Sequence, residues 1–307
     1  MASQRLTAQA RSGGIEPEAV RIRLLGGFEV SVGPWTVEGN KWRLRKARSL
    51  VKLLALAQGH RLHREQVMAA LWPELDEKSA ANNLHRALHF ARGALEPGAE
   101  NATSRYLTLR GDLLELCSEG PLWVDVETFE EAARAARRAR EPTAFRAAVD
   151  LYAGDLLPED LYEDWASERR EELRETYLAL LVELAGLHEE REEYDPAIEA
   201  LRLALTGDPA REEAHWGLMR LYAAAGERQR AIAQYQQLEK RLSEGLGAEP
   251  AAASRRLYEE ILADRYLLRP EDRASREPAD PGITCPIPAP ASLGASERCS
   301  ASSVPWR

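Results

Sequence analysis

Two sets of side chains in the first half of this sequence could do chemistry on a nucleic acid. In the stretch from Asp76 to Leu95, Ser79, Asn82, Arg86, His89 and Phe90 fall opposite an apolar stripe, with Asn83 beside them. Arginine and asparagine can make two hydrogen bonds at once to the edges of guanine and adenine, so this spacing on a helix suits base reading. A second set is cationic: Arg45, Arg48 and Lys52 share one stripe, and Arg105 and Arg110 flank an Arg110-Gly111-Asp112 turn. Lysine and arginine in such positions suit phosphate contacts, which carry affinity without sequence information.

Other chemistries find less support. His85 and His89 have the i, i+4 spacing of a metal pair, but no third ligand accompanies them and Arg86 lies between. The cysteines, Cys117, Cys285 and Cys299, are too scattered for a zinc site or a disulfide framework. The sequence contains no Gly-x-Ser-x-Gly elbow, His-Glu-x-x-His, Cys-x-x-Cys or phosphate-binding loop. Paired carboxylates at Glu159–Asp164, Glu171-Glu172 and Glu189-Glu190 read as solvated helix faces. The expectation is a non-enzyme without metal or cofactor.

The elements that must hold these residues are legible from periodicity. Val20, Ile22 and Leu24, then Phe28, Val30 and Val32, alternate with polar residues and predict two strands joined at Gly26-Gly27. Leu44, Ala47, Leu50, Val51 and Leu54 predict a helix over 43–58, stopped by Gly59. A short helix over 63–71 ends at Trp72-Pro73, because proline cannot continue it. Ala81, Leu84, Leu88, Ala91 and Leu95 define a third helix over 76–95, closed by Pro97-Gly98. Two strands, 105–109 and 113–117, follow as a hairpin, with Cys117 in the core.

Beyond residue 120 the pattern becomes helical and repetitive. A shift of 34 residues superposes Ala197 on Ala231, Ile198 on Ile232, Leu201 on Tyr235, Leu184 on Leu218 and Leu187 on Leu221. That period is the one of tetratricopeptide (TPR) helix pairs. One unit is expected over Tyr177–Pro209 and a second over Glu212–Leu242. A degenerate pair precedes them over Thr128–Arg140 and Thr143–Ala153, and a capping helix follows over Ala251–Tyr266.

Charge divides along the same line. From Arg21 to Gly120 there are 15 Lys and Arg against 11 Asp and Glu, whereas from Pro121 to Pro270 there are 20 against 32. A basic half joined to an acidic one is consistent with nucleic acid as partner, although the whole chain carries −9. No apolar run is long enough to span a membrane, and no secretory leader precedes the first strand, so a cytoplasmic protein is expected. Residues 1–18 and 269–307, rich in small and polar residues, are expected to be flexible or disordered tails.

Several stretches carry a family resemblance. Arg23-Leu24-Leu25-Gly26-Gly27-Phe28-Glu29-Val30, Ala69-Ala70-Leu71-Trp72, Ala80-Ala81-Asn82-Asn83-Leu84 and Trp123-Val124-Asp125-Val126 before Phe129 resemble the OmpR/PhoB-type effector domain. They do so in the form found in SARP-type activators with a bacterial transcriptional activator domain (BTAD). Trp165, the Arg211-Glu212-Glu213-Ala214-His215 stretch and Leu246-Gly247-Ala248-Glu249-Pro250 extend the resemblance into the second half. It departs late in the third helix, where this chain has Phe90 and Gly93 in place of further basic residues.

The resemblance implies an α+β winged helix-turn-helix domain over 19–120, followed by an all-α TPR-like activator domain over 121–268. It implies a transcriptional regulator, an activator by type. Double-stranded DNA would be its partner through the third helix and the hairpin wing, and RNA polymerase or a second copy of the chain would be partners through the repeats. Two other readings stay open: a TPR scaffold whose winged helix has lost DNA affinity, and a regulatory part of a larger signalling ATPase.

Overall fold

A computed structural model of the chain describes residues 18–97, 104–118, 120–263 and 265. The tails expected at either end lie outside the described residues, apart from Glu18, as do Cys285 and Cys299. The N-terminal alternation forms β1 (Val20–Arg23) and β2 (Glu29–Val32), paired antiparallel with Val20 opposite Val32 and Ile22 opposite Val30. A two-residue strand, β3 (Trp35–Thr36), extends this sheet on the far side of β2.

Three helices follow at the expected places: α1 (Arg45–Leu56), α2 (Arg64–Leu71) and α3 (Glu77–Leu95). Between α1 and α2 lies a short strand the periodicity did not reveal, β4 (Arg61–His63). It pairs antiparallel with β6 (Leu113–Leu116), which in turn pairs with β5 (Leu107–Arg110). The predicted hairpin is therefore two strands of a three-stranded sheet. Cys117 falls just past β6 in a left-handed conformation, its amide bonded to the Tyr106 carbonyl. Burial pushes its thiol up to about 12, which suits a core residue and not a nucleophile.

The expected division at residues 120–121 runs between β6 and β7 (Leu122–Val124), and β7 completes the first sheet by pairing parallel with β1. Seven helices complete the described chain: α4 (Asp125–Ala139), α5 (Pro142–Asp150), α6 (Ser167–Glu190), α7 (Tyr194–Gly207), α8 (Glu212–Ala224), α9 (Arg228–Leu246) and α10 (Ala252–Leu262). They stack as the pairs α4–α5, α6–α7 and α8–α9, with α10 packed on α8 and α9. This is a TPR-like array. Helix α6 starts at Ser167, ten residues before the repeat unit read from the sequence.

The 34-residue superposition has a packing reason. Ala197 and Ala231 are both fully buried where paired helices meet. Gly207 and Gly217 serve the same close approach: a Cβ at either would come within 2.7 or 2.8 Å of Leu178 or Leu201. All described elements belong to one compact unit. Among the described residues no helix is long and apolar enough to cross a membrane.

Candidate nucleic-acid interface

Helix α3 is fixed from both ends and from beneath. Asp76 caps its start by accepting the Ser79 amide at 3.0 Å. Hydrogen bonding from Ser79 holds the Asp76 pKa below its usual value. Ala80, Leu84, Ala87, Leu88, Ala91, Ala94 and Leu95 are buried against the core. Arg92, the basic residue late in the helix, turns inward: its Nε donates to the Leu107 carbonyl on β5 at 3.0 Å and ties the hairpin to α3.

What remains outward is a stripe of Lys78, Asn82, His85, Arg86 and His89, all exposed. At 3.6 residues per turn these five fall within about 100° of arc, with no carboxylate among them. Of the sequence candidates, Asn82, Arg86 and His89 sit together on this face. Ser79 is spent on the helix cap. Asn83 is half-buried at the edge of the stripe. Phe90 is half-buried too, packed on the core with its ring edge-on to His89 at 5.3 Å. Lys78 and His85 were missed as members of the face. Helical arithmetic alone could have placed them there, but His85 drew notice only as half of a metal pair. Among the described residues no cluster of three or more potential ligands could hold a metal ion.

The hairpin places Arg110 exposed at its tip. Arg105 is differently committed: its guanidinium donates to Glu96 at 2.6 Å, and that side chain also accepts the Arg105 amide at 3.1 Å. The pair closes the C-terminal end of α3 against the hairpin.

The cationic stripe of α1 is not where the sequence reading put it. Lys52 is buried, with its ammonium against Asp160 and 2.9 Å from Glu159. It also lies 4.6 Å from the centre of the Phe28 ring. Arg48 sits over the same ring at 5.4 Å and 3.7 Å from Glu159. Arg45 reaches Glu163 at 3.1 Å and Asp160 at 3.8 Å, and Lys46 reaches Glu163 at 3.2 Å. The segment 159–163, read from sequence as a solvated acidic face, is thus the counter-charge of α1. Lys52 has no path to a phosphate. Arg45 and Arg48 would have to give up carboxylates to reach one. The acidic pairs further along also find cations, Glu172 with Arg169 and Glu189 with Arg220.

The same junction explains two residues whose role spacing could not show. Asp125 is buried, and its carboxylate accepts the amides of Leu24, Leu25 and Val126 at 2.8–3.0 Å. Burial pushes its pKa up, and the three amides oppose that shift. Gly26 has φ +77°, and a Cβ there would lie 3.0 Å from the Ala153 carbonyl oxygen. Its amide donates to the Asp155 carbonyl at 3.0 Å, while the Leu157 amide donates to the Leu24 carbonyl at 2.9 Å. Gly26 is therefore a place of close backbone approach, beyond the simple turn expected from sequence, whereas a Cβ at Gly27 would meet nothing within 4 Å.

Residues 124–262 match the family described as the bacterial transcriptional activator domain. The match runs from the end of β7 through the seven helices α4–α10. Regulatory protein AfsR of Streptomyces coelicolor is 26% identical over 239 residues, which is 76% of this chain and 23% of that protein. The chain thus spans about a quarter of the length of that relative. Among solved structures, Mycobacterium tuberculosis EmbR in complex with a low-affinity phosphopeptide superposes with a TM-score of 0.63 at 19% identity. That likeness covers 81% of this chain and 66% of the other, and it is a likeness of fold.

Proposed function

We propose that the chain is a DNA-binding transcriptional regulator, an activator by family type. Helices α1–α3 and the β5–β6 hairpin act as a winged helix-turn-helix within residues 19–120, and α3 enters the major groove. Asn82 and Arg86 read base edges there, with His89 beside them, and Asn83 and Phe90 border the contact. Lys78, His85 and the tip residue Arg110 meet phosphates or the minor groove, and Arg105 keeps the wing on α3. The TPR-like half, residues 121–268, supplies contacts to RNA polymerase or to a second copy of the chain.

The observation that carries this reading is the α3 stripe itself. Asn82 and Arg86 are exposed and, among the described residues, neither has a hydrogen-bond or ion-pair partner. Keeping two such side chains unpartnered, side by side on one rigid helix, costs the fold nothing and leaves their donors for a ligand.

The test is selection of binding sites from randomised duplex DNA by the purified full chain, followed by sequencing. A shared motif enriched over successive rounds is the expected result. Failure of the folded protein to retain any duplex at low salt would overturn the proposal and leave a TPR-like interaction scaffold in its place.

A further inference from the structure

The repeat half is acidic overall, yet it carries a cationic groove where α7 meets the pair α8–α9. Two clefts of about 340 and 330 Å³ open where α7, α8 and α9 meet, and they share Leu205 and Gln237 in their lining. Together they reach the size range of ligand clefts, roughly 300–1,000 Å³. The first is bounded by Lys240 and Arg241 and the second by Arg202 and Arg230, with no carboxylate among the lining residues of either.

Two of these cations are poorly neutralised. Arg202 donates to the Tyr222 hydroxyl at 2.9 Å, a neutral partner. Arg241 has no hydrogen-bond or ion-pair partner among the described residues. Lys240 has only Glu244, one turn on, at 3.9 Å, and Arg230 shares Glu227 with the turn before α9. The floor between them is neutral. His215 is buried, with Gln234 Nε2 2.6 Å from its Nδ1 and the Pro209 carbonyl 3.1 Å from its Nε2. Burial holds its pKa below the usual imidazole value. Apolar Leu205 and Leu218 and the amide of Gln237 complete the surface.

We propose that this groove is a docking site for an extended acidic peptide segment of a partner protein. Cations on both rims fit alternating carboxylates. Half-buried Leu205 between them fits an intervening apolar side chain, and the Gln237 amide fits a peptide backbone. Charge complementarity of this kind sets partner choice and association rate. A nucleic acid strand is the poorer fit, because single strands need exposed aromatic faces to stack on. The aromatic residue in the lining, Tyr222, is buried and its ring is covered by Arg230 at 4.2 Å.

The experiment is fluorescence anisotropy with the full chain and a short fluorescein-labelled peptide alternating Glu and Leu. The same peptide with Lys for Glu, and a labelled DNA duplex, are the controls. Lys240→Glu combined with Arg241→Glu should weaken the acidic peptide by about tenfold or more. Arg202→Glu should act likewise, but it also breaks the Tyr222 bond. The α9 pair of substitutions, both at exposed positions, therefore carries the test if that variant melts early. Arg256→Glu, an exposed charge reversal on α10 outside the lining, should change affinity by less than about twofold. Equal binding of the Lys peptide, equal losses for Arg256→Glu and the α9 variant, or no binding of the Glu peptide at low salt would each overturn the proposal. So would a duplex that displaces the peptide and is itself weakened by the α9 substitutions.

Discussion

Replacing Lys52 by Ala removes the one ammonium that lies buried between Glu159 and Asp160. At 2.9 Å and an effective dielectric of about 20, its attraction to Glu159 alone is roughly 6 kcal/mol before desolvation is subtracted. The carboxylate left behind at Asp160 is only 7% exposed, so water cannot solvate it well. Breaking such a buried pair by deleting one partner costs about 3–5 kcal/mol. Arg45 stays 3.8 Å from Asp160 and offsets part of that, which places the expected loss near the lower end, about 3 kcal/mol. For a chain of this size the melting temperature should fall by roughly 6–12 °C.

Arg48→Ala provides the contrast, because Arg48 is half-buried, 3.7 Å from Glu159, and should cost only about 0–1 kcal/mol. Urea denaturation followed by tryptophan fluorescence and circular dichroism reads both variants. The Lys52 loss should persist at high salt, since an enclosed pair is screened little. Neither substitution should alter the salt dependence of DNA binding at temperatures where both variants are folded. A Lys52→Ala loss below about 1 kcal/mol would refute the enclosed-pair reasoning. A fall of about one unit in the salt slope for either variant would mean these cations do meet phosphate.

Four further outcomes follow from the junction and the repeats. Gly26→Ala must place a Cβ 3.0 Å from the Ala153 carbonyl at φ +77°, and should cost about 1–3 kcal/mol in urea denaturation. Asp125→Ala leaves the buried amides of Leu24, Leu25 and Val126 without their acceptor, at about 1–3 kcal/mol for each that finds no water. A fragment ending at Gly120 lacks β7 and Asp125 together, and should therefore melt below one extended through α4. Burial depresses the His215 pKa, so the unfolded chain takes up the proton first. Its contribution to stability is complete above the unfolded imidazole value of about 6.5 and is lost as pH falls below it. His215→Gln should remove that part of the pH slope between neutrality and mild acid.

Most helices of both halves were legible because they keep an apolar stripe, as α1 and α3 do, whereas α6, buried over about half its circumference, hid its first ten residues. The repeat was legible because Ala197 and Ala231 recur where helices touch. The α3 face was partly legible, since a helical wheel finds Asn82, Arg86 and His89 but cannot say that the Asp76 cap consumes Ser79 or that Phe90 leans on the core. The junction between the halves was not legible at all. A strand of three residues such as β7 carries too short a pattern to declare its parallel partner. The polar stripe of α1 looks the same in sequence whether water or a carboxylate more than a hundred residues away covers it. Glu159, Asp160 and Glu163 were misread for the same reason: local charge patterning shows that ions are present and not whom they meet.

The central claim is that α3 reads sequence. It is tested most directly by the affinities of wild type and Arg86→Ala for a selected duplex and for its scrambled counterpart, titrated across several salt concentrations. The account predicts a loss of about 1–3 kcal/mol on the selected duplex, relaxed preference at one base position and a much smaller loss on scrambled DNA. Equal losses on both duplexes, in a variant whose melt matches wild type, would contradict it.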